Sequence, residues 1–176
     1  MPTRNVLSTD EYGSFYAHYV SLVPPGITLR SALDDSESQL VDYLSEVTPE
    51  REDYAYGPGK WTVKQALQHL IDSERIFAYR ALRLGRHDSA ALVGFEQNDY
   101  VAAVDLSGRA FGRMVAEFRA VRQTTLTLFD GLSDDDLAFV GTVSGHPMSC
   151  RAMGFIICGH TYHHHNLYRE RYGGVR

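Results

Sequence analysis

The segment Gly159-His160-Thr161-Tyr162-His163-His164-His165-Asn166 holds the residues best suited to chemistry. His160 and His164 stand four positions apart. On a helix of ~3.6 residues per turn they stack on one face. Two neutral imidazoles in that relation can reach one divalent metal ion, as in H-E-x-x-H zinc helices. Thr161 stands where that motif carries its glutamate, so an ordinary metalloprotease is disfavoured. His163 borders the same face and is the substitute ligand. His165 is turned away by the ~100° step between residues, and Cys158, ~200° around from His160, points elsewhere.

A catalytic-type site takes three protein ligands and keeps one position open. The best third candidate is His69, one position from Leu70 and three from Ala66 in another apolar stripe. His18 lies near the N-terminus, and His87 and His146 sit beside Asp and Pro, so these three read as exposed. Histidines four apart also arise by coincidence in packed helices. Against that, His160 and His164 continue the stripe of Met153 and Ile157, and desolvated imidazoles need partners.

Four amphipathic stretches would position these residues. Leu29 to Val47 repeats its leucines in threes, fours and sevens between Pro24-Pro25-Gly26 and Thr48-Pro49. Thr62 to Gly85 opens on a capping box, Thr62 with Gln65, and carries His69. Ser107 to Leu132 buries Phe111, Val115, Phe118, Val121 and Leu128. Ser149 to Tyr172 carries His160 and His164 and stops at Gly173-Gly174. This pattern predicts an all-α, up-down four-helix bundle, with a shorter helix over Thr9 to Val20. One domain over 1–176, its core about 29–172, suits the length. The link from Arg86 to Leu106 is long enough to be functional or partly structured. Phe139 to Val143 has strand character and could form a two-stranded ribbon.

Composition narrows the function. The chain has 17 Lys and Arg against 22 Asp and Glu, which argues against nucleic-acid binding. No window approaches the ~20 apolar residues of a membrane span. The first residues lack the apolar core of a secretory signal, and a cytoplasmic location follows by default. Cys150 and Cys158 read as buried thiols too far apart for a disulfide.

At two segments the sequence resembles the DinB/YfiT-like superfamily of metal-binding four-helix bundles. One is Trp61-Thr62-Val63-Lys64-Gln65-Ala66-Leu67-Gln68-His69-Leu70, and the other is Gly159-His160-Thr161-Tyr162-His163-His164. Gly94 to Tyr100 is similar to a loop between the second and third helices of many members. The resemblance implies a metal triad of His69, His160 and His164, and it covers about Leu29 to Tyr172. Leu167 departs from the family pattern, which often has glutamine there, so a polar contact behind the ligands is absent. The family includes thiol-dependent transferases and isomerases.

An ion on three neutral imidazoles lowers the pKa of bound water to about 7 or takes an incoming thiolate. A metal-dependent hydrolase or thiol S-transferase acting on a small molecule is therefore expected. Zinc or nickel is the expected metal, with a low-molecular-weight thiol as a further cofactor. Asp72, at i+3 from His69, is the candidate base or orienting group, although a solvated helix edge of Asp72, Glu74 and Arg75 is the more ordinary explanation. Glu96, Gln97 and Asn98 are expected to cover the site. Tyr162 and Tyr168 are substrate anchors or packing residues. The alternative is a non-catalytic module in which the metal only braces the bundle. Aromatic and apolar content beyond the need of one bundle suggests a homodimer.

Overall fold

The structure is a computed structural model describing residues 1–173. Gly174, half of the expected Gly-Gly stop, lies outside the described residues. The elements run α1 (Ala17–Leu22), α2 (Leu29–Ser45), α3 (Val63–Leu84), α4 (Gln97–Ala103), α5 (Phe111–Asp130), α6 (Asp134–Ala138), β1 (Val140–Val143), β2 (His146–Ser149) and α7 (Cys150–Arg171). The long helices α2, α3, α5 and α7 form the expected four-helix bundle.

Local chemistry sets their starts. The Thr62 hydroxyl accepts from the Gln65 amide at 3.2 Å, and Gln65 returns a bond from the Thr62 amide at 2.9 Å, so two otherwise orphaned amides are satisfied. Ser149 caps α7 by accepting from the Ala152 amide at 3.0 Å. The strand expected near Phe139 is β1, paired antiparallel with β2 from Val140↔Ser149 to Val143↔His146. Ser144 and Gly145, both at positive φ, make the tight turn between them. The N-terminal helix is shorter than expected: 3-10 turns over Thr9–Glu11 and Ser14–Tyr16 precede α1.

The directions of the helices are particular. Each of α2 and α3 packs against both α5 and α7. Helices α2 and α7 run parallel, since the Tyr162 hydroxyl donates to Asp35 at 2.6 Å and the Tyr43 hydroxyl to the Tyr168 carbonyl at 3.1 Å. Helices α3 and α7 run antiparallel, with Cys150 against the Ala81 carbonyl and the Tyr168 hydroxyl against the Val63 carbonyl. Helices α3 and α5 run the same way, with Arg109 bonded to Gln68 at one end and Leu132 beside Gly85 at the other. The order is thus up, down, down, up, in place of the simple alternation expected. The 85–110 link makes this possible by climbing back along the bundle before α5 begins.

Two apolar clusters fill the bundle, one around Leu29, Leu33, Phe129 and Phe155, the other around Leu40, Leu67, Phe118 and Tyr168. A buried polar layer separates them. Arg122 of α5 is fully buried. Its Nε and Nη2 donate to the Glu74 carboxylate at 2.7 and 2.8 Å. Nη1 donates to the Leu33 carbonyl at 2.6 Å and Ser36 Oγ at 3.0 Å, and Nη2 also donates to Thr161 Oγ1 at 2.9 Å. The guanidinium thereby touches all four long helices and satisfies all five of its N–H donors. Burial pulls the Arg122 pKa down, but the Glu74 carboxylate outweighs it and holds the group above its ordinary value.

Removing one partner strands the other charge in the interior, which costs about 3–5 kcal/mol. Arg122→Met should therefore destabilise the chain by that amount in urea denaturation. Arg122→Met combined with Glu74→Leu should recover a large part of the loss, because no charge is left unpaired. A double variant no more stable than the single one would contradict this account of the layer.

Candidate metal centre

The polar layer continues directly into the histidines. Thr161, held by Arg122, follows His160, and Glu74 follows Ser73 on α3. His69, on the inner face of α3, meets His160 and His164 of α7. His69 Nε2 and His160 Nε2 lie 3.0 Å apart. The ring centroids are separated by 5.0 Å for His69 and His160, 5.0 Å for His69 and His164, and 4.7 Å for His160 and His164. One nitrogen from each ring falls within 4.8 Å of the others, and all three residues are buried. Among the described residues no carboxylate or thiol joins this group.

The expected roles of the remaining histidines follow helix geometry. His163 is half-buried at the border of the cluster, its ring 5.3 Å from that of His164. His165 is buried against Tyr43 on α2, away from the site. His18, His87 and His146 are exposed.

The chemistry of the donor set fits a divalent transition metal. Burial first, then the neighbouring histidines, holds His160 and His164 well below the usual histidine range. Burial, followed by His163, pulls His69 down to about 4. All three are neutral at pH 7, which is the state that ligates. His164 Nδ1 is buried without any hydrogen-bond partner. An orphaned buried nitrogen of this kind costs ~1–3 kcal/mol.

Ser73 was not anticipated. Its Oγ lies 3.3 Å from His69 Nδ1 and fixes the ring from behind. Position i+4 from His69 was the available signal, because a serine there stacks over the histidine. Asp72, the expected neighbour, accepts from Gln68 Nε2 at 2.9 Å and lies 3.7 Å from Arg75 Nη1. Its carboxylate is engaged along the outer side of α3. Tyr168 packs in the core and its hydroxyl bonds Val63, while Tyr162 bonds Asp35. Cys150 and Cys158 are buried, unpaired thiols, and burial pushes each up to about 12.

Two segments wall the cluster. Helix α1 brings Tyr19 edge-on to His160 at 5.3 Å. Gly159 permits this approach, since a β-carbon there would fall 2.0 Å from the Tyr19 carbonyl oxygen. The 85–110 link supplies Phe95, Glu96, Gln97 and Asn98, as expected of a segment covering the site. Arg80 anchors it, donating to the Val93 carbonyl at 2.8 Å while its guanidinium sits against Phe77 and Phe95.

The sequence matches the DinB superfamily over residues 32–167, and the chain belongs to that superfamily. A search of curated proteins gives no significant match. Among solved structures, YfiT from Bacillus subtilis shares the fold at a TM-score of 0.70 with 17% identity, covering 82% of this chain and 87% of that one. YfiT is described as a probable metal-dependent hydrolase with an unusual four-helix bundle topology.

The lowered histidine pKa values give stability a pH dependence with a definite sign. An unfolded histidine titrates near 6.5, above its folded value, so the unfolded chain binds more protons as pH falls. The contribution is intact above about pH 6.5 and lost progressively toward about 4, where His69 protonates in the folded state. Urea denaturation of metal-free protein should show stability falling by about 1.4 kcal/mol per pH unit for each such histidine. A flat stability between pH 7 and 5 would rule out buried neutral imidazoles.

Proposed function

We propose that the chain is a divalent-metal-dependent enzyme of hydrolase or thiol-transferase type, acting on a small molecule, with His69, His160 and His164 as its metal ligands. One observation carries the reading: three buried imidazoles converge, and among the described residues no fourth histidine, cysteine or carboxylate joins them. A structural zinc site closes with four protein ligands, whereas a catalytic one keeps a position for water or substrate. Adjoining cavities support the same choice, since a brace needs no access. The description of YfiT as a probable metal-dependent hydrolase agrees with it.

In this reading His69, His160 and His164 hold the ion. The bound ion supplies a Lewis acid that makes a nucleophile available at neutral pH. Ser73 orients His69 through Nδ1, leaving Nε2 for the ion. Phe77 and Phe95 give the cavity beside His160 an aromatic side. Asp72 stays a candidate proton acceptor only if its bonds to Gln68 and Arg75 rearrange on substrate binding. Zinc and nickel both suit an all-imidazole set, and a low-molecular-weight thiol would enter as a thiolate. We also propose a homodimer, supported by the exposed side chains of Tyr79, Val93 and Tyr100, which line one surface hollow, to be checked by light scattering.

The test is metal per chain, measured by elemental analysis on protein purified without a nickel column. His69→Ala, His160→Ala and His164→Ala should each abolish stoichiometric binding, and His165→Ala should leave it unchanged. Circular dichroism should show helicity retained in all four, because the apolar clusters are untouched. Hydrolysis or thiol transfer in a substrate screen should vanish in the first three variants. Metal retained in His160→Ala and lost in His165→Ala would overturn the ligand assignment.

A further inference from the structure

The three histidines stand between two adjoining open cavities. One, of about 320 Å³, is bounded by His160 together with Phe77, Phe95 and Glu96. The other, of about 260 Å³, is bounded by His164 together with Tyr56, Lys60 and Trp61. His69 borders both, and Tyr19 and Gln97 form the wall they share. Each cavity is near the lower size of small-ligand sites, ~300 Å³.

Their chemistry is opposite. Outside the histidines, the charged group of the first cavity is Glu96, set among aromatic rings. That of the second is Lys60, and no acidic side chain lines it. Lys60 is exposed at the mouth, its Nζ 6.0 Å from the Tyr56 ring centre. Among the described residues no carboxylate lies within ion-pair distance of it. The neighbouring Lys64, by contrast, is neutralised by Glu52 at 3.1 Å. An unpaired ammonium over an aromatic floor, opening onto neutral imidazoles, suits a small anion. The Glu96 carboxylate is engaged by the Asn98 backbone and side-chain nitrogens, and the Arg80 guanidinium lies against Phe77 and Phe95 but does not line the cavity, so the remaining aromatic lining suits an uncharged aromatic or apolar group.

We propose that the Lys60–Trp61–His164 cavity is a second ligand site that takes a small carboxylate-bearing molecule, and that it fills at the same time as the Phe77–Phe95–His160 cavity takes an uncharged aromatic one. The inference rests on the metal reading above and deepens it. A metal whose neighbourhood opens on two sides can hold two reactants at once and need not admit substrate and water through one mouth. Lys60 and Phe95 are the residues that separate the two specificities.

Trp61 makes the proposal measurable. It is the single tryptophan of the chain, it lines the second cavity and not the first, and its ring centre lies 4.8 Å from that of His69. Zinc-loaded full-length protein, its zinc content measured on the same samples, is titrated with succinate at constant ionic strength. Trp61 emission should change saturably. Benzyl alcohol, followed by saturation-transfer NMR, should bind as well, and its saturation should alter succinate affinity less than twofold. Lys60→Gln should weaken succinate about tenfold, as expected for loss of a charge-assisted contact, and leave benzyl alcohol unchanged. Phe95→Ala should do the reverse. Lys60 is exposed, while Phe95 packs against the edge of the core, so circular dichroism on Phe95→Ala must show unchanged helicity and its succinate affinity must stay at the wild-type value. Competition between the two probes, or unchanged succinate affinity in Lys60→Gln, would overturn the inference while leaving the metal reading intact. Protein that takes up no zinc would overturn both.

Discussion

The buried guanidinium of Arg122 is the contact on which the rest of the molecule depends. Its five donors reach α2 at Leu33 and Ser36, α3 at Glu74 and α7 at Thr161. A fully buried cation has no low-energy alternative to these partners. Apolar helix faces alone can slide along one another with modest loss, because the hydrophobic effect is not directional. A guanidinium that must satisfy five donors permits no such slip. The layer therefore sets the axial register of four helices at one level.

That register is what assembles the histidine cluster. Glu74 lies five positions beyond His69 on α3, and Thr161 lies immediately after His160 on α7. Tying Glu74 and Thr161 to one side chain brings the two antiparallel helices to the height at which His69 faces His160. Ser73 then fixes the His69 ring, and Gly159 lets α1 close over the cluster. The unusual chain order contributes as well. Because α3 and α5 run the same way, the intervening link must travel back along the bundle, and on that path it lays Phe95 to Asn98 over the histidines.

Much of this was legible in the amino-acid sequence, for reasons that differ by element. The Thr62–Gln65 capping box and the Ser149 cap are local, so the starts of α3 and α7 could be read directly. The four-residue spacing of His160 and His164 is a helical angle, and it separated these two from His165 without reference to tertiary structure. His69 stood out by its place beside Leu70 and Ala66 in another apolar stripe, and the family resemblance pointed to the same residue. Helix direction was not legible, because a link of this length can turn back at once or cross the bundle. Arg122 and Glu74 were missed because charged residues ordinarily mark the solvent face. Arg122 nevertheless sits four positions after Phe118 and seven before Phe129, inside the buried stripe. Asp72 attracted the orienting role that belongs to Ser73, since a carboxylate is the commoner partner of a ligating histidine.

The central claim is that the bundle presents three imidazoles, and no fourth protein donor, to one divalent ion. X-ray absorption spectroscopy at the zinc edge of stoichiometrically loaded protein tests it most directly, with His69→Ala, His160→Ala and His164→Ala as controls. The account predicts a first shell of three imidazole nitrogens completed by exchangeable oxygen ligands, with zinc–nitrogen distances of ~2.0–2.1 Å, and loss of that shell in each variant. A shell containing sulfur, or one closed by four protein donors, or one that survives removal of any of the three histidines, would contradict it.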